Sequence, residues 1–255
     1  GNVLTLDYTG LTDLAGNAGA GSVQSGNYAV DTAGPALAQP IAIDDTALKI
    51  GDTATVTFVF DQSVTGFSAA NVTVPNGTLS ALGSNDGITW TATLTPNPGA
   101  TAASNVLTLD YAGIENAVGN SGAGSATSGN YAVDTLAPTA TVTLSDVDLR
   151  AGETAQLTIA FNEIVSGFDA SAVTAPDGAL GTFTTLDAGM TWRATFTPDA
   201  NIRAASNVVA VSLANVADLA GNPGAGNASS PNYAVQTTPP VIPPTNPPAP
   251  DTIDG

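Results

Sequence analysis

Thr53-Ala-Thr-Val-Thr-Phe-Val-Phe60 sets Ala54, Val56, Phe58 and Phe60 on one side of the chain and Thr53, Thr55 and Thr57 on the other. An apolar residue at every second position, with threonine between, is the pattern of a half-buried antiparallel strand. A second stretch repeats it, with Ala155, Leu157, Ile159 and Phe161 inward. Trp90, Ala92 and Leu94 share a face, as do Trp192, Ala194 and Phe196, with Arg193 turned to water. Leu107, Leu109 and Tyr111 continue the pattern one strand later. Pro75-Asn-Gly77 and Pro176-Asp-Gly178 carry the residue types of tight turns. Each tryptophan is read as a core anchor between two sheets rather than as a sugar-stacking platform.

These strands recur with a period of about 100 residues. Asn2-Val-Leu-Thr-Leu-Asp-Tyr8 returns as residues 105–111, and more loosely as 207–213. Asn27-Tyr-Ala-Val-Asp31 returns at 130–134 and at 232–236. Leu48-Lys-Ile-Gly-Asp-Thr53 matches Leu149-Arg-Ala-Gly-Glu-Thr154, and Thr89-Trp90 matches Thr191-Trp192. That period is the size of one immunoglobulin-type domain, not of a solenoid repeat. About seven strands fit in each repeat, in the first near 39–44, 52–61, 70–74, 77–82, 88–95, 105–111 and 127–134. The fold class is all-β, as tandem immunoglobulin-like antiparallel β-sandwich domains. Residues 1–34 are expected to be the C-terminal strands of a truncated repeat. Residues 35–136 and 137–237 are full repeats, and 238–255 form a proline-rich linker of polyproline II character. Without the strands they pair with, residues 1–34 are expected to fray or to pair with another chain, as in a fragment of a longer array.

Of the 255 residues, 43% are hydrophobic, enough for more than one core, while 5% are aromatic and 10% charged. Twenty-two acidic residues face four basic ones, Lys49, Arg150, Arg193 and Arg203, for a net charge of −18. A chain so acidic repels phosphate backbones and anionic lipid, which argues against nucleic-acid or membrane-surface partners, and it attracts divalent cations. No apolar run reaches the roughly 20 residues needed to span a bilayer, and no secretory leader is read at the first residues. Cysteine and histidine are absent. Disulfides, thiolate and zinc sites, the usual catalytic bases and thiol nucleophiles are therefore excluded. Carboxylates that recur in loops once per repeat make a poor glycosidase pair, and the chain is read as no enzyme. The single lysine, Lys49, argues against Lys–Asn isopeptide cross-links.

Four features resemble the bacterial Ig-like repeats of very large secreted adhesins and biofilm-associated surface proteins. They are the 48–60 segment, Val64-Thr-Gly-Phe67, Asp218-Leu-Ala-Gly-Asn222 with its twin at 13–17, and the closing Asn-Tyr-Ala-Val-Asp-Thr. The resemblance covers nearly all of residues 1–237. It implies export to the bacterial cell surface, long tandem arrays and, in several family members, calcium at domain junctions.

A sandwich's strand order assigns its loops to two ends. Where the two full repeats meet, Asp44, Asp45 and Asp134 are expected to face Glu163, Asp187 and Asp218. The preceding junction gathers Asp31 with Asp61, Asp86 and Glu115. Calcium takes six to eight oxygen ligands, so such loops suit a structural calcium ion; the competing view makes these acids ordinary solvated turn residues. Asn116 stands where the copies have Asp13 and Asp218, and Gln236 where they have Asp31 and Asp134. Gln236 precedes the proline linker, and Asp146 and Asp148 offer a weaker site at that last end. The pairs Gly16-Asn17, Gly119-Asn120 and Gly221-Asn222 are expected to supply positive φ in a hairpin.

The function expected is a structural extender of an adhesin, stiffened by calcium. Its partners are the neighbouring Ig-like repeats, with a distal adhesive ligand unknown. The alternatives are a filament, sheath or surface-layer subunit that joins other copies of itself by strand donation, or a glycan-binding accessory module.

Overall fold

In the computed structural model, which describes residues 1–240, Ala54–Val59 runs antiparallel to Thr89–Pro96, with Phe58 opposite Trp90 and Val56 opposite Ala92. Ala42–Ile43 and Gly77–Leu79 flank that pair to complete a four-stranded sheet. Its inward residues Ala54, Val56, Phe58, Ala92 and Leu94 are buried, as the alternation requires. The facing layer is built of short strands. Tyr131–Asp134 lies between Thr101–Asn105 and Ala47–Leu48, parallel to the latter, while Thr108–Asp110 lies between Val72–Thr73 and Ser125–Thr127. Glu115–Asn116 pairs with Val64–Thr65. The described helices are two single 3-10 turns, Ala69–Asn71 and Ala170–Ala172.

The chain divides into two compact units. The first comprises Gly1–Leu48, Asp52–Asn97 and Ala102–Val133; the second comprises Lys49–Gly51, Pro98–Thr101 and the chain from Asp134 onward. The second repeats the design of the first. Ala140–Leu144, Ala155–Phe161, Thr191–Pro198 and Gly178–Leu180 form one sheet, with Thr184–Thr185 added on Thr191–Pro198. Its core joins Leu157, Ile159 and Phe161 of that sheet to Val209, Val211, Tyr233 and Val235 of the facing strands. Two hydrogen-bonded β-layers enclosing one apolar core make an antiparallel β-sandwich.

The expected strand over 105–111 is divided. Asn105 ends Thr101–Asn105, and Thr108–Asp110 belongs to a different sheet. The buried Asn105 amide donates to the carbonyls of Ala102 and Tyr131, which fixes the bend where the chain changes sheet. The tryptophans occupy the rim of the core. Trp90 is half-buried, edge-on to Phe67 at 5.5 Å, and its indole N–H donates to Gly87 O at 3.0 Å. Trp192 stacks against Phe168 at 5.0 Å and donates to Gly189 O. The deepest aromatic residues include Tyr131 and Tyr233, whose hydroxyls donate to the carbonyls of Pro75 and Pro176 in the turn between two strands. In those turns Asn76 and Asp177 adopt φ of 52° and 59°.

Residues 1–30 form a hairpin, Thr5–Asp7 against Ser22–Gln24. Its register, Leu6 opposite Val23, is that of Leu109 opposite Ala126 in the complete repeat. Leu109 is also covered by the strand Val72–Thr73 and is fully buried, whereas Leu6 is 55% exposed. Leu4, Leu11, Tyr28 and Val30 are exposed in the same way, while their counterparts Leu107, Ile114, Tyr131 and Val133 lie in the core. Of the proline-rich segment, residues 241–255 lie outside the described residues.

The left-handed glycines and the buried tyrosine each give a fold-level expectation. Gly66 and Gly167 have φ of +79° and +75°, and a Cβ on either would stand 2.2 Å from the carbonyl oxygen of Gly113 or Asn215. Gly167→Ala should therefore destabilise the chain by more than about 1 kcal/mol in urea unfolding. Burial, with a smaller contribution from Asp177, pushes the Tyr233 phenol from 10.0 up to about 12. The unfolded tyrosine ionises first, so stability should fall as pH rises from 10 toward 12. Tyr233→Phe should lose about 1–2 kcal/mol at neutral pH and abolish that part of the alkaline loss.

Candidate metal site

Tyr131–Asp134 points Tyr131 and Val133 into the core, so the alternation turns Asp134 outward at the strand's end. Glu163 comes two residues after Phe161, where Ala155–Phe161 leaves its sheet. Asp218 ends Ala217–Asp218, held opposite Val165. The second unit thereby brings one carboxylate oxygen from each of Asp134, Glu163 and Asp218 within 4.8 Å of the others. Asp218 is 3% exposed, and the other two are partly buried.

At an effective dielectric of about 20, two like charges this close repel by about 3–4 kcal/mol. Glu163 registers that field. Burial first, then the charges of Asp218 and Asp134, raise its carboxyl above the ordinary value, against a weaker lowering by the Asn162 amide. The Lys49 ammonium stands beside Gly221, in the loop that follows Asp218. Three carboxylates at partly water-excluded positions offer the hard oxygen donors that calcium takes.

Asn222 builds the wall of this group. Its backbone N–H donates to Asp218 Oδ1 at 2.7 Å, and its side-chain amide donates to Asp218 Oδ2 at 2.7 Å and to the Asp134 carbonyl at 2.8 Å. In the first unit the Asn120 amide likewise donates to the Asp31 carbonyl at 3.0 Å. The Gly-Asn pair is thus only half explained by backbone conformation. Gly16, Gly119 and Gly221 have φ of 85–89°, but the asparagines after them are not in the left-handed region. The asparagine is there as a donor. Its recurrence at 17, 120 and 222 beside Asp13, Asn116 and Asp218 was the signal available in the chain.

The remaining sequence-predicted ligands lie outside this three-acid group. Asp44 accepts from the Thr55 N–H at 2.6 Å, which holds its carboxyl low, and Asp45 accepts from the Ala47 N–H at 2.9 Å. Asp187 accepts from Thr191 N and Thr185 Oγ1 and is lowered chiefly by Thr191. In the first unit, Asp61 accepts from the Ala36 N–H, and Asp86 from Ile88 and Thr89, which lower it. Glu115 accepts from the Ser121 hydroxyl, and Asp31 from the Ala33 N–H and the Asn116 amide. Asp45 and Asp86 accept within their own turns, whereas Asp44, Asp61 and Asp31 also tie distant segments together.

Residues 31–133 and 134–235 each match the family model of the bacterial Ig-like domain, and the chain belongs to that family. Among solved structures it is similar to the Escherichia coli adhesin FdeC, at 16% identity over 78% of this chain and 63% of that one, with a TM-score of 0.30. It is also similar to the Yersinia pseudotuberculosis adhesin InvE, at 18% identity over 74% and 58%, TM-score 0.30. An I-band fragment of titin matches at 11% identity over 81% and 66%, TM-score 0.34. The chain spans less than two thirds of the length of each of these three. A comparison with curated proteins gives no match. No helix of the described residues is long and apolar enough to cross a membrane.

The raised Glu163 carboxyl has a measurable consequence. In a chelator, the folded chain holds the Glu163 proton more tightly than the unfolded chain, so stability should fall as pH rises from the ordinary value of 4.5 through the raised one. Glu163→Gln should flatten that loss in denaturant titrations at successive pH values. An unchanged slope would show that the Glu163 carboxyl is not raised in the folded chain.

Proposed function

We propose that the chain is a set of non-enzymatic extender repeats of a secreted bacterial cell-surface adhesin, and that calcium held by Asp134, Glu163 and Asp218 stiffens it. Tandem family matches over residues 31–133 and 134–235 support the extender role. The observation that carries the calcium is the convergence of three carboxylates on one point, one of them almost wholly buried. With an ion bound, the end of the Tyr131–Asp134 strand is tied to the loops at 163 and 218. Without it, the same acids push those segments apart. Neighbouring repeats are then the principal partners, and a distal adhesive ligand lies beyond these residues. The remaining predicted ligands, Asp44, Asp45, Asp187, Asp31, Asp61, Asp86 and Glu115, would act by shaping the loops around such sites.

Thermal unfolding with calcium and with chelator tests this role. An ion present at about 100 times its dissociation constant adds about 2.7 kcal/mol, which should raise Tm by on the order of 10 °C. Superimposable melts in the two conditions would remove calcium.

A further inference from the structure

The first unit holds a second copy of the site, assembled from different atoms. Asp31, Gln62, Asn116 and Asn120 occupy the repeat positions of Asp134, Glu163, Asp218 and Asn222. The Asn116 side chain turns its Oδ1 to two backbone donors, Val118 N at 3.1 Å and Asn120 N at 2.9 Å. Those donors settle which end of the amide is nitrogen. Its Nδ2 then faces three oxygens, Asp31 Oδ2 at 3.2 Å, Gln62 Oε1 at 3.2 Å and the Ala33 carbonyl at 3.0 Å. A group carrying partial positive charge therefore stands among oxygens of the loops that, in the second unit, bring Asp134 and Glu163 together. In that unit the matching atom is a carboxyl oxygen of Asp218, which accepts from the Asn222 amide.

We propose that the Asn116 amide does in the first unit what a divalent cation does in the second, so that one copy of the site is permanently locked and the other is locked only when calcium is present. This rests on the calcium role proposed above. The exchange turns on two positions. Gln62 for Glu163 removes one charge, and Asn116 for Asp218 removes another while adding two N–H donors; Asp31 is left as a lone carboxylate with a donor of its own. Ion response in this chain is therefore set repeat by repeat by Asn or Asp at the start of the Gly-Asn loop.

Calorimetric titration of the chelated chain with calcium tests the exchange. The unaltered chain should bind one ion that raises Tm. Glu163→Gln with Asp218→Asn should bind none and melt identically with and without chelator. Gln62→Glu with Asn116→Asp should bind two, and in chelator should melt below the unaltered chain. An unaltered chain that binds no calcium overturns the calcium role itself. One that binds a single ion while the Gln62→Glu, Asn116→Asp variant gains none leaves that role standing and overturns the exchange, as does an unaltered chain that binds two. Should that variant fail to fold in either condition, the Glu163→Gln, Asp218→Asn variant decides: a calcium response that persists there overturns the exchange.

Discussion

Every feature of these domains depends on closing one apolar layer against another. Leu157, Ile159 and Phe161 project from one sheet, and their water-free surface exists only because Val209, Val211, Tyr233 and Val235 come from the facing strands. A fully buried side chain of this size contributes about 1.5–3 kcal/mol relative to exposure, so neither layer is stable alone. In the described residues Leu6 keeps the register of Leu109 but has no covering strand like Val72–Thr73, and it is 55% exposed.

Closing the sandwich also decides where charge is forced together. Strand ends are where the alternation stops and where polar residues must emerge. Asp134, Glu163 and Asp218 each lie within two residues of a strand end, and layer packing fixes the distance between those ends without regard to charge. Glu163, whose carboxyl is raised by burial first and then by Asp218 and Asp134, differs in this from Asp44 and Asp187, whose loops supply N–H donors that lower theirs.

Two copies of one fold in a single chain therefore carry different groups at the same repeat position, Asn116 in one and Asp218 in the other. Where Asn116 places a nitrogen among the oxygens, the loops are joined by hydrogen bonds alone. Where Asp218 stands, its own oxygens are satisfied by Asn222, while Asp134 and Glu163 remain close by. An amide and a carboxylate have nearly the same shape, so the backbone accommodates either. What changes is the charge, and whether a donor or an acceptor faces the neighbouring oxygens.

The repeat length, the inward faces of Ala54–Val59 and Ala155–Phe161 and the all-β class could be read directly from the residues, because alternation and turn residues are local properties. The same pattern could not place the aromatic anchors. Tryptophan at the start of Thr191–Pro198 looks like core, but only packing shows that Tyr233 reaches the centre and that Trp192 stays at the rim. Nor could it sort the acids. Ten carboxylates were plausible ligands by loop assignment, and the approach of Asp134, Glu163 and Asp218 to within 4.8 Å is set by strands up to 84 residues apart in the chain. The alternation depends on the nearest neighbours along a strand, which the chain order contains. The meeting of three loops depends on how two layers close, which only the tertiary structure decides.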